Sequence, residues 1–203
     1  MALLSEIITS ARYDLKDEES TRDTDAMLVS FVNRALRNLV AVLGAVKSDW
    51  VKAATDLTLS SGNSTVSLPS DFSIANQAWI DTTEIIKDKW EVVKHTLRTS
   101  SSTGQPYKYA LQGTSIQFDA TADQNYTVEF LYFKSIASLT TATTMPFNGE
   151  FNDALLEAMV LISKNKDEYD VSGDAALYDF FTKYAMRKVT SRNHKPRRWN
   201  LGF

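Results

Sequence analysis

Residues 126–133 read Tyr-Thr-Val-Glu-Phe-Leu-Tyr-Phe. Tyr126, Val128, Phe130 and Tyr132 share one face of a period-two segment, and Thr127, Glu129, Leu131 and Phe133 share the other, the pattern of a β-strand. The second face is itself half apolar, which predicts a strand central in a two-layer β unit. Working back from it, a polar turn at Ala122–Asn125 follows Tyr107, Tyr109 and Leu111, a turn at Gln112-Gly113, then Ile116 and Phe118, which together read as a hairpin. Leu57 and Leu59, then Val66 and Leu68, flank Ser60–Ser64 and predict another hairpin around Gly62. Pro69 has no N–H to give a ladder, so Leu68–Phe72 is turn-like. Ala75–Asp81 reads as strand, Lys89–Leu97 fits short helix or strand, and Thr99–Gly104 reads as a flexible loop.

On either side of this stretch the period is 3.6. Leu3, Leu4, Ile7, Ile8, Ala11 and Leu15 form one helical stripe; Leu28, Phe31, Val32, Ala35, Leu36, Leu39, Val40 and Leu43 form a better one. Thr24 or Asp25 would cap the second helix, whose opposite face carries Asn33, Arg34, Arg37 and Asn38 and which ends near Gly44. After a Ser/Thr-rich connector, Ser135–Thr144, Phe151, Ala154, Leu155, Ala158, Met159 and Ile162 mark a third helix, broadened by Leu156, Val160 and Leu161. A polar turn, Asn165–Gly173, leads to a last helix with Leu177, Phe180, Phe181, Tyr184 and Ala185. The expected fold class is α+β: an antiparallel helical bundle from the N- and C-terminal helices, an inserted antiparallel, sandwich-like β unit, and an extended C-terminal tail. The corresponding divisions are 1–53 with 146–192 for the bundle, 54–145 for the insertion and 193–203 for the tail.

The 203 residues suit one domain, or one domain with a large insertion. With 43% hydrophobic and 23% charged residues the chain can build a core, which excludes a wholly disordered class. No run of 18 apolar residues occurs, so no membrane-spanning helix is expected. The opening Met-Ala-Leu-Leu-Ser-Glu lacks the basic and long apolar regions of a signal peptide.

Cysteine is absent, which excludes disulfides, thiolate metal sites and a cysteine nucleophile. Only His95 and His194 could join carboxylates at a zinc ion, and no metal or other cofactor is expected. Dinucleotide, P-loop, nucleophile-elbow, zincin and EF-hand motifs do not occur, so no catalytic residue is assigned and the chain does not read as an enzyme. Asp119 and Asp123 could pair for glycoside chemistry, but turn stabilisation accounts for both. Asp14, Asp17, Glu18 and Glu19 read as a solvated face between helices. Tyr107, Tyr109, Tyr126, Phe130 and Tyr132 could stack bases or sugars, yet their alternation with aliphatic residues favours sheet core. His95 reads as a surface or structural residue.

Charge is more informative. The net −3 divides into +6 from Arg187, Lys188, Arg192, Lys195, Arg197 and Arg198, with no acid among the last 17 residues, and −9 on the rest. Trp199 and Phe203 add aromatic anchors. Trp and Arg dominate interface hot spots, so these eight residues are the candidate docking site. The competing readings are a frayed, solvated terminus and salt-sensitive nucleic-acid binding, which the acidic body opposes.

The order of motifs resembles the head-to-tail adaptor (connector) proteins of tailed bacteriophages, especially short-tailed ones. The residues carrying the resemblance are a short opening helix at Leu3–Leu15, Asn33-Arg34-Ala35-Leu36, Trp50 and the turn Leu68–Phe72. Gly104-Gln105-Pro106-Tyr107-Lys108-Tyr109, the strand Tyr126–Phe133 and Leu139-Thr140 follow, then two closing helices and a basic extension. Asp119-Ala120-Thr121 stands where many relatives are Pro-rich. The resemblance implies a ring, usually of twelve copies, between the capsid portal and the tail or nozzle proteins. Genomic DNA would pass through its channel without sequence-specific binding, and the C-terminal segment would grip the portal. It further implies a structural virion protein with no membrane partner, assembled in the host cytoplasm. Another tail-completion role and a nucleic-acid-binding module are the alternatives.

Overall fold

A computed structural model describes residues 2–20, 22–100, 103–166 and 179–188. The fold is mixed α+β, and the chain divides into two compact units: Val51–Ser135, and the chain up to Trp50 together with that from Ile136 onward.

In the first of these, the strand at the centre of the sequence reading is β8, Tyr126–Lys134. It lies between β1 (Lys52–Leu59) and β3 (Phe72–Ile80), and β4 (Thr83–Glu84) completes a four-stranded sheet in the order β1-β8-β3-β4. A second sheet runs β2 (Thr65–Ser67), β7 (Ser115–Phe118), β6 (Lys108–Gln112), β5 (Ile86–Lys87). β8 has a strand on each side; its Tyr126, Val128, Phe130, Tyr132 face is buried, while on the other face Thr127 and Glu129 are exposed and only Leu131 and Phe133 are covered in part or in full. Val128 and Phe130 are fully buried in the core with Leu59, Ile80, Ile116 and Phe118. Phe72, Phe130 and Tyr132 form a cluster in which each ring touches the other two, and Tyr109 meets Phe130 edge-on.

The β6–β7 hairpin forms as expected, with Gly113 at φ 56° supplying the left-handed turn. The other expected hairpin does not. β1 pairs with β8 and β2 with β7, so Ser60–Ser64 is an arch between sheets. Its polar groups are used elsewhere: Gly62 N–H donates to the Ala122 carbonyl (2.8 Å) and Ser61 N–H to Asn125 Oδ1 (2.9 Å). Two apolar alternations around a glycine loop look the same whether their strands pair with each other or with distant partners. The ambiguous segment is helix α3 (Trp90–Ser100), which packs on β6 and β7 and buries Val93. It takes in Thr99, expected as loop; the Thr99 hydroxyl donates to the His95 carbonyl one turn back (2.9 Å). The two-residue strands β4 and β5 are too short for any periodicity to announce them.

In the other unit, α1 (Leu4–Leu15) and α2 (Asp25–Ala45) both pack against α4 (Asn152–Asn165). Thr24 caps α2, its Oγ1 accepting from Met27 N–H at 3.3 Å. Leu28, Val32, Ala35, Leu36, Leu39 and Leu43 are buried, as the stripe requires. Among the described residues α2 is long and apolar enough to cross a membrane by length and composition alone, although it holds no uninterrupted run of 18 apolar residues. Its apolar residues are spread through an interrupted stripe, which is how a core helix meets that criterion while Arg34 and Arg37 stay exposed. Residues 179–188 are helical, with Phe181 and Ala185 buried; Leu177 lies outside the described residues.

Candidate docking elements

Of the eight candidate docking residues, the structure places Arg187 and Lys188, consecutive in the helix at 179–188. Arg192, Lys195, Arg197, Arg198, Trp199 and Phe203 lie outside the described residues, as does His194. The helix is anchored by rings. Trp50 meets Phe147 and Phe151 edge-on, Phe151 packs on Tyr184 at 6.0 Å, and Tyr184 stacks on Phe180. These contacts hold the helix that carries Arg187 and Lys188. Arg187 is exposed. Lys188 Nζ donates to Glu150 Oε2 at 2.9 Å and sits 6.0 Å from the Tyr184 ring centroid. That hydrogen bond holds the Lys188 pKa above its ordinary 10.5. Lys188 is therefore tied into the fold, and Arg187 is the one of the two that faces solvent.

The acidic stretch expected to be solvated is so only in part. Asp14, Glu18 and Glu19 are exposed, but Asp17 is 5% exposed and acts as a hub. Its Oδ1 accepts Arg22 N–H and its Oδ2 accepts Asp23 N–H, each at 2.9 Å. The buried Arg12 guanidinium donates to Asp17 Oδ2 (3.3 Å), the Asp23 carbonyl (2.9 Å) and Asp25 Oδ1 (2.6 Å). Asp23, with no exposed side-chain surface, receives Lys166 Nζ at 2.6 Å and the Ser163 hydroxyl. This network latches the α1–α2 connection to the end of α4. The sequence signal for it was Arg12, a charge placed on the same stripe as Ile8, Ala11 and Leu15.

The motifs that carried the resemblance turn out to be clamps. Asn33, expected on the polar face of α2, is buried. Its Oδ1 accepts Leu139 N–H (2.7 Å) and its Nδ2 donates to the Leu139 carbonyl (2.9 Å), the two hydrogen bonds a neighbouring strand would make. Asn33-Arg34-Ala35-Leu36 and Leu139-Thr140 are thus one contact, 106 residues apart. Asn33→Ala leaves buried backbone groups of Leu139 unpaired, and a cost of about 1–3 kcal/mol is expected in the urea midpoint; an unchanged midpoint would contradict the clamp.

The Leu68–Phe72 turn is fastened likewise. Asp71 Oδ1 accepts the Tyr132 hydroxyl at 2.7 Å, and the Asp71 carbonyl accepts Ser135 N–H at 2.7 Å. Burial, and then that carboxylate, push the Tyr132 pKa up to about 12. Gly104 N–H donates to the Thr121 carbonyl (2.8 Å), and Asp119 Oδ1 accepts the Tyr107 and Lys108 amides (3.1 Å each). Asp123 accepts the Tyr126 hydroxyl at 2.7 Å. Both carboxylates considered for glycoside chemistry are thus engaged in turns. Tyr109, Tyr126, Phe130 and Tyr132 are sheet core, while Tyr107 is 63% exposed. His95 is exposed. Among the described residues no group of three or more His, Cys, Asp or Glu side chains could hold a metal ion.

The sequence model of the SU10 adaptor protein family matches residues 2–200. The chain belongs to the SU10 adaptor protein family. It is a phage head–tail adaptor, a structural component of the virion at the head–tail region. No curated protein matches its sequence. The family match runs past the last described helix, so the adaptor pattern takes in Arg187 to Trp199 as well as the two folded units.

Proposed function

We propose that this adaptor closes into a ring of twelve copies between the portal of a short-tailed phage and its tail or nozzle proteins. The C-terminal segment, with Arg187, Arg192, Lys195, Arg197, Arg198, Trp199 and Phe203, docks on the portal. The observation that carries this reading is the family match across residues 2–200, within which all the bases of that segment and Trp199 lie. Charge supports it. A body of net −9 repels phosphate, so DNA passes through the ring without being held. A head-to-tail interface repeated around an axis closes such a ring without leaving an open end.

Native mass spectrometry of the adaptor mixed with its portal tests the reading. The expected species is a complex with one fixed adaptor count. A monomer that ignores the portal and binds duplex DNA only in low salt would instead favour the nucleic-acid module.

A further inference from the structure

The outer face of the β1-β8-β3-β4 sheet carries a row with one residue from each strand. Asp56 stands directly opposite Glu129, Glu129 opposite Trp79, and Trp79 opposite Glu84. Partners across a ladder share a face, so all four point away from the core that holds Val128 and Phe130. The three carboxylates are exposed and Trp79 is half-buried between two of them. No ion pair among the described residues engages Asp56 or Glu129. Like charges directly opposed across a ladder are unfavourable. The sheet thus keeps a repulsive pair beside an indole, and a cation laid along the row would gain from the carboxylates and from the ring face.

One segment of this chain has the matching chemistry. Residues 189–203 hold Arg192, Lys195, Arg197 and Arg198 and no acid. Extended, 192–197 spans about 17 Å at ~3.3 Å per residue, and four strands at ~4.8 Å spacing put Asp56 and Glu84 about 14 Å apart. We propose that the Asp56–Glu129–Trp79–Glu84 row is a docking strip for the basic segment 192–198 of a second copy. The proposal rests on the multi-copy reading above. The strip holds the segment in the free protein, where no portal competes for it.

Zero-length carbodiimide cross-linking of the full-length chain, as a mixture of isotopically light and heavy copies, tests it. The expected products join Lys195 of one copy to Asp56, Glu129 or Glu84 of another. In the Asp56→Asn/Glu129→Gln variant the remaining Lys195–Glu84 product should fall roughly threefold or more, as expected for losing two exposed charge contacts. That variant removes a repulsion, so its melting temperature should hold or rise, which separates lost docking from lost folding. Products confined to one chain, spread over the other carboxylates, or unchanged in the variant would overturn the strip. Portal binding by the same variant is expected to be intact, so a failure of the ring-and-portal reading shows up separately from a failure here.

Discussion

Lys166→Met is expected to destabilise the adaptor by about 3–5 kcal/mol near neutral pH, the range for removing one partner of a buried ion pair. Methionine keeps most of the aliphatic stem, so packing is largely preserved and the charge is what is lost. The Asp23 carboxylate would be left without exposed surface, facing the Ser163 hydroxyl and, at 4.0 Å, Arg22 Nε. Burial by itself raises the Asp23 pKa. Hydrogen bonds from Lys166 and Ser163 and the charges of Lys166 and Arg22 outweigh that and hold it below its ordinary 3.8. A carboxylate whose folded pKa is depressed contributes stability above its unfolded pKa and loses it as pH falls through the folded one. The penalty in Lys166→Met should therefore be largest near neutral pH and shrink below about pH 4, where protonated Asp23 no longer needs a cation. Urea midpoints of both proteins at the two pH values measure it. An equal penalty at both would contradict an ionic latch.

Removing residues 192–203 is expected to weaken portal binding by at least ~100-fold, while the two folded units keep their melting behaviour. Truncating a hot-spot Trp or Arg typically costs about 2 kcal/mol or more, and each 1.4 kcal/mol is tenfold. Neutralising Lys188 alone should matter far less, because Glu150 already holds it. Arg187→Ala, at the exposed neighbouring position, should have the larger effect of the two. Binding measured by surface-immobilised portal would settle the comparison, and full affinity in the truncated chain would rule out the docking role of these residues.

How far the sequence spoke for the structure depended on whether a signal was local. β8 was legible because its strict alternation puts four large apolar or aromatic residues on one face, and the β6–β7 hairpin because its turn residues sit between its own strands. Thr24 was legible as a cap from its place before an apolar stripe. The Ser60–Ser64 arch was not, since pairing with β8 and β7 is decided some 50 to 70 residues away. Asn33 looked like one polar residue among several, and only the position of Leu139 shows why an amide must stand there. Asp17 and Asp23 were hidden for the opposite reason: charged residues in a loop suggest water, and their burial is made tolerable by Arg12, Lys166 and Ser163, which composition cannot bring together. For the docking residues, the sequence showed the concentration of positive charge, and the structure adds the ring contacts that hold the helix carrying Arg187 and Lys188.

Electron microscopy of native particles containing this chain tests the central claim most directly. The account predicts a closed ring of twelve copies between the capsid vertex and the tail, with residues after 188 against the portal. A chain found at the tail tip, or present as single copies away from the portal, would contradict it.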